Sequence, residues 1–174
     1  MKVNIRSAEK SDLVSILNII NYEIENSTSL YDYSPRTYSD QLEWFEKKEK
    51  DGMPITIADY DGKVAGFATF GIFRPWDAYQ YSVEHSIYIN KDYRGLGLGK
   101  LLLHDLILKA KQDGYHTMIA GIDASNIQSF KFHQNFGFVE IGVFREIGFK
   151  FGKWLDLKFM QLFLERYSKE DVSK

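Results

Sequence analysis

The chain has 174 residues, 44% hydrophobic and 16% aromatic, with a formal net charge of −2. That length suits one domain, here 1–174, with a real core, and so even a charge balance lacks the basic face nucleic acid demands. With no cysteine at all, disulfides, thiolate nucleophiles, acetyl-cysteine intermediates and cysteine-based zinc sites are excluded. No charged-then-apolar leader opens the sequence and no apolar run reaches spanning length, so a cytoplasmic protein away from membranes is expected.

Val3-Asn4-Ile5 alternates as a short strand. Ser11 reads as the N-cap of a helix carrying Leu13, Ile16, Leu17 and Ile20 at helical spacing. Residues 26–36 are polar and aromatic without periodicity, and Pro35 closes that loop. A second helix is expected from about 39 to 48, with Leu42 and Phe45 as its buried stripe. Residues 55–58 and 64–70 read as strands joined through Asp61-Gly62, a hairpin signal because both residues tolerate positive φ. Residues 81–90 form the next strand and run into a glycine-rich turn. A helix follows with Leu103, Leu106, Ile107 and Ala110 on one face, ended by Gly114. A strand over 116–122 comes next. Ser125-Asn126-Ile127-Gln128 has capping-box spacing and opens a short helix that stops at Gly137. Strands at 138–147 and 154–163 finish the chain before a polar tail from Ser168 to Lys174. Helices separate some strands while others pair as hairpins, which predicts a mixed sheet in an α/β layer fold.

Arg94-Gly95-Leu96-Gly97-Leu98-Gly99-Lys100 carries the chemistry. A basic glycine turn between strand and helix presents unobstructed backbone N–H groups at a positive helix N-terminus, which is a phosphate cradle. It misses P-loop spacing by one residue, lacks the Ser or Thr that follows the P-loop lysine, and lacks the dinucleotide G-x-G-x-x-G. No G-x-S-x-G elbow, H-E-x-x-H or calcium loop occurs, and His85, His104, His116 and His133 have no metal-ligand spacing, so no metal is expected.

Arg94-x-x-Gly97-x-Gly99 resembles the pyrophosphate signature of the GNAT superfamily, the acetyl-CoA-dependent N-acetyltransferases. Ile5-Arg6-x-Ala8-x-x-x-Asp12-Leu13 is similar to that superfamily's opening. Asn126-x-x-Ser129-x-x-Phe132-His133-x-x-x-Gly137-Phe138 is similar to its late helix-and-strand motif. More narrowly, Val83-Glu84-His85-Ser86, Ala120-Gly121-Ile122-Asp123 and the stretch from Gly148 to Leu157 resemble the phosphinothricin acetyltransferase group. That group acetylates the α-amine of phosphinothricin, methionine sulfoximine, methionine sulfone or related amino acids.

The resemblance implies a GNAT fold: a mostly antiparallel sheet of about seven strands, splayed near residues 85–87 at the cofactor site, with helices on both faces. It implies direct transfer of acetyl from acetyl-CoA to a small amino acid, and a homodimer, to which the Phe- and Trp-rich terminal strands also point. Gly95, Leu96, Gly97, Leu98, Gly99 and Lys100, with Arg94, would hold the pyrophosphate. Backbone groups of Ser86, Ile87, Tyr88 and Ile89 would pair with pantetheine beside a local bulge. Glu84 would be the general base that deprotonates the amine, although a strand Glu equally reads as a solvated or ion-paired carboxylate. His133 stands where many relatives carry a Tyr that protonates the leaving thiolate, against a purely structural histidine. Asn126 and Ser129 would bind the pantetheine arm or simply cap the helix. Arg74 suits an anionic group on the acceptor, with Trp76, Tyr79 and Tyr31 as pocket walls or as a solvated aromatic loop. Rival readings are a GNAT enzyme acting on a protein N-terminus, polyamine or aminoglycoside, a non-catalytic acyl-CoA-binding module, and a nucleotide-binding protein.

Overall fold

A computed structural model describes residues 2–168. Chain order is β1 (Val3–Ser7), α1 (Leu13–Asn26), α2 (Tyr38–Lys50), β2 (Ile55–Tyr60), β3 (Lys63–Ile72), β4 (Ser82–Ile89), α3 (Leu98–Gln112), β5 (Thr117–Asp123), α4 (Ile127–Gln134), β6 (Val139–Lys150) and β7 (Lys153–Phe163). The strands make one seven-stranded sheet in the order β1-β2-β3-β4-β5-β7-β6. Every neighbouring pair is antiparallel except β4 and β5. Past Ser168, the expected polar tail lies outside the described residues. Among the described residues, no helix is long and apolar enough to cross a membrane.

Apolar periodicity decides which face each helix covers. Leu13, Ile16, Ile19, Ile20 and Ile24 of α1 join Phe45 of α2 over Ile55, Ile57 and Phe67. On the opposite face Leu98, Leu102, Leu103, Leu106, Ile107 and Ala110 of α3 pack on Ala58, Ala68, Val83, Met118 and Ala120. Strand alternation then fixes the rest: Val83, Ile87 and Ile89 face α3, while Tyr88 packs with the α1–α2 cluster. Glu84 and Ser86, in step with Tyr88, therefore project on the α1–α2 face.

Several local signals work differently from the sequence reading. Ser11 lies inside a 3-10 turn over Lys10–Asp12, and the chain entry is capped by Glu9 and Asp12 in a reciprocal box. Asp12 also takes two hydrogen bonds from Arg6, at 2.7 and 2.9 Å, which pins β1 to the start of α1. Ser125 is not the cap of α4; Asn126 is, its side chain accepting from the Ser129 N–H at 2.9 Å. Ser125 is drawn away because Asp123 Oδ1 accepts its hydroxyl at 2.5 Å and its N–H at 2.8 Å. Leu17 and Leu42 are only half-buried, whereas Ile19 and Ile24 carry the core. The Asp61-Gly62 turn has φ of 50° and 79°, as a two-residue hairpin requires. A second such turn at Phe151-Gly152, with φ of 51° and 74°, extends the last hairpin to the pair Lys150–Lys153.

Candidate active site

β4 and β5 pair in parallel over three positions only, Ser82 with Thr117 through Glu84 with Ile119. From Ala120 to Asp123, β5 pairs with β7 alone, so the sheet parts from residue 85 onward. No bulge in β4 makes this opening: its ladder with β3 runs from Gly66–Ile89 to Ile72–Val83 without a register shift. The strands simply diverge. Backbone amides and carbonyls on the open side of β4 beyond Glu84 are left facing the cleft, where an extended amide-bearing ligand can complete the ladder. His85, Ser86, Ile87 and Tyr88 line one wall and Ala120, Gly121, Ile122 and Asp123 the other, with Asn126, Ser129 and His133 closing the end.

At the mouth, β4 runs through Asn90 into the glycine turn. Gly95 and Gly97 have φ of 80° and 77°, and Gly97 is the N-terminal cap of α3. A left-handed cap with no side chain leaves the first N–H groups of the helix bare, so an anion can reach them. Gly99 has no such backbone demand, and a Cβ there would meet nothing nearer than Phe132 at 3.7 Å. The turn opens into a cavity of about 390 Å³ that also touches Ile87, Ile89, Arg94, Lys100 and Phe132. Leu98 contributes only backbone, because its side chain is core, whereas Leu96 is exposed. Arg94 is held by Glu23, a buried carboxylate on α1 that also accepts the Ser27 hydroxyl at 2.8 Å. The residues present thus fit the diphosphate and amide-rich arm of a coenzyme A thioester, which would supply an activated acyl group at the closed end of the cleft.

Glu84 stands at the last paired position before the strands part. Burial pushes its carboxyl above the ordinary value, and the nearby Arg74 charge offsets only part of this. Around it the walls are aromatic: Phe73 meets Phe159 edge-on at 6.1 Å and Tyr79 at 5.9 Å, and Phe159 meets Phe144 at 5.7 Å. Arg74 stacks over Phe73 at 4.3 Å and donates to the Phe73 carbonyl at 3.0 Å, and among the described residues no carboxylate pairs with it. Trp76 reaches this group only through Tyr79, at 6.2 Å, and is 64% exposed. Tyr31 comes from the α1–α2 loop and lies against Gly148 of β6, where a Cβ would stand 2.8 Å from its ring. That loop is strapped down by Lys150, which donates to the carbonyls of Ser27 and Leu30 at 2.9 and 2.6 Å. Asp123 is held below the usual carboxylate range; burial opposes this, but bonds from Ser125 and Thr28 prevail.

His133 is buried on α4, stacked on His85 of β4 at 5.1 Å. Its Nδ1 lies 2.7 Å from the Ser129 carbonyl. A carbonyl only accepts, so Nδ1 carries the proton and Nε2 of the neutral ring is a bare lone pair. Burial lowers the His133 pKa despite the Ser129 bond, and burial together with His133 lowers that of His85 well below the ordinary value. Among the described residues, both nitrogens of His85 and Nε2 of His133 find no hydrogen-bond partner.

The fold thus brings His133, the residues from Ser86 to Ile89 and the glycine turn to one cleft, with Glu84 at the point where its walls part; Arg74 borders a separate pocket with Phe73, Gly71 and Lys48. Asn126 spends its side-chain oxygen on the α4 cap, and Ser129 gives its carbonyl to His133. Phe73 and Phe159 were missed by sequence reasoning, and Gly121 and His85 entered it only as members of matching motifs. Alternation on the last strand could have suggested Phe159, but only the fold shows which face receives Glu84.

A mixed sheet that parts beside a strand, with a glycine-capped helix at its mouth, defines an acyl-coenzyme A-dependent transferase. The chain belongs to the GNAT family: the model of the Acetyltransferase (GNAT) family matches residues 19–138. It is 36% identical over 170 residues to an L-methionine sulfoximine/L-methionine sulfone acetyltransferase from Salmonella typhimurium, covering 98% of this chain and 99% of that protein. Among solved structures it is similar to an N-acetyltransferase from Staphylococcus aureus Mu50, at 49% identity and a TM-score of 0.93 over 94% of this chain and 99% of that one. It is also similar to yncA from Salmonella typhimurium with its cofactor acetyl-CoA, at 36% identity and a TM-score of 0.92, covering 97% of each chain. The protein is an acetyl-CoA-dependent N-acetyltransferase.

Proposed function

We propose that the enzyme acetylates the α-amine of a small amino acid of the methionine sulfone, methionine sulfoximine or phosphinothricin type. The observation that carries this is the position of Glu84, a desolvated carboxylate at the parting of β4 and β5, with the outward charge of Arg74 beside it. An ammonium cannot attack a thioester; Glu84 takes its first proton, directly or through water. The free amine then attacks the acetyl carbonyl, the new C–N bond forms and the C–S bond breaks. A backbone N–H on the open side of β4 stabilises charge on the carbonyl oxygen. The second amine proton must reach the departing sulfur. His133, with Nδ1 tied to Ser129, serves as a relay, since Nε2 can take that proton and pass it on.

Arg74 meets the acceptor's carboxylate or its sulfone, sulfoximine or phosphinate group, while Phe73, Tyr79, Phe159 and Tyr31 enclose the side chain. An outward guanidinium repels a polyamine or aminoglycoside, which favours the amino acid over those acceptors. The apolar edge of β6 and β7 supports a homodimer, and use of acetyl-CoA supports a cytoplasmic setting.

Replacing Glu84 with Gln tests the chemistry. Turnover is expected to fall about 10²- to 10⁴-fold, the usual worth of a positioned base, with acetyl-CoA affinity by calorimetry unchanged. Turnover at the wild-type rate removes Glu84 as the base.

A further inference from the structure

Gly121 sits in the middle of β5 with no positive φ to require a glycine. A glycine inside a strand gives up side-chain packing and backbone order, and it commonly marks a close approach by another group. Here that group is Glu84. A Cβ at position 121 would stand 3.0 Å from Glu84 Oε1, while Leu157 Cδ1 and Phe159 Cε1 would be at ordinary contact, 3.6 Å. The one tight contact is thus with the tip of a flexible carboxylate, and the surrounding core can accept a methyl group.

We infer that Gly121 is a positioning residue for acetyl transfer: it leaves the space in which the Glu84 carboxylate rests where β4 and β5 part. The inference rests on Glu84 being the base. An alanine at this position moves the carboxylate rather than the strand, and alanine is a better strand residue than glycine. Displacement off β5 drives the carboxylate toward β3. There Arg74 follows the strand, and Lys48 of α2 reaches Gly71, the register partner of Glu84. Asp123, a carboxylate further along β5, lies behind. Moving toward two cations and away from an anion favours the ionised form.

The test is a double-mutant cycle on the full chain, with acetyl-CoA and methionine sulfone as substrates. Gly121→Ala is expected to keep the thermal midpoint and acetyl-CoA affinity, and to lower kcat about 10- to 100-fold, as a misplaced base does. The acid limb of its pH profile moves to lower pH. In a Glu84→Gln background the same change costs nothing further, because there is no base left to misplace. Glu84→Asp, whose shorter arm withdraws from position 121, likewise cancels the effect. The inference is overturned if Gly121→Ala leaves both kcat and the pH profile at wild type, or lowers kcat equally in the Gln background. Wild-type turnover by Glu84→Gln alone instead overturns the assignment of the base.

Discussion

At the scale of single residues, Glu84 and Arg74 are proposed to share recognition of the acceptor. Arg74 stacks on Phe73 and, among the described residues, is in no ion pair, which leaves it able to meet a carboxylate brought by the substrate. Arg74→Ala should raise the amino-acid KM roughly 10- to 100-fold, the worth of a charge-assisted hydrogen bond, with kcat little changed. Steady-state kinetics with varied acceptor read this directly, and an unchanged KM would remove the contact. His85 bears on stability instead. Its folded pKa lies well below that of the unfolded chain, so below about 6.5 the unfolded state binds the extra proton and stability falls with pH. Each such histidine costs about 1.4 kcal/mol per pH unit in that window. Urea titrations from pH 7.5 down to 5.5 should show the loss, and His85→Phe should make it shallower; equal slopes would contradict it. Glu84 was legible because its motif resembles a known group. Its burial was not, since Gly121 comes up against its carboxylate only once β4 and β5 are paired.

At the scale of elements, the glycine turn and α3 act as one unit. Gly97 supplies the left-handed cap, and the space beside it is open. Gly97→Ala should destabilise the chain by about 1–2 kcal/mol through its positive φ and should weaken acetyl-CoA binding as well. Gly114, with φ of 81° and open space around it, is the control: alanine there costs similar stability but leaves acetyl-CoA affinity alone. Calorimetry with acetyl-CoA separates the two, and equal affinities in both variants would remove the cradle's role. Helix faces and the turn itself were legible from spacing. Asn126 was read as a possible cap of α4, but Ser11 and Ser125 were misplaced, because Asp12 is shared with Arg6 and Ser125 is claimed by Asp123, and both contacts depend on where other elements end.

For the whole molecule, two features follow from strand order. Divergence of β4 from β5 makes the cleft, and no register shift in the β3–β4 ladder announces it; the bulge that the alternation around His85 permits is not the device. β6 ends the sheet, with Ile141, Phe144 and Ile147 between 54% and 59% exposed and Trp154 of β7 at 61%. So much apolar surface on an edge strand supports the proposed pairing with a second copy of the chain. Light scattering should give twice the 20.3 kDa chain mass, and Trp154→Glu should shift it toward monomer; monomeric wild type would contradict the assembly.

The most direct measurement is release of free CoA from acetyl-CoA in the presence of single amines: methionine sulfone, methionine sulfoximine, phosphinothricin, proteinogenic amino acids and spermidine. An α-amino acid carrying a sulfone, sulfoximine or phosphinate group should give the highest kcat/KM. Preference for spermidine, or no release above background with any amino acid, would contradict the account.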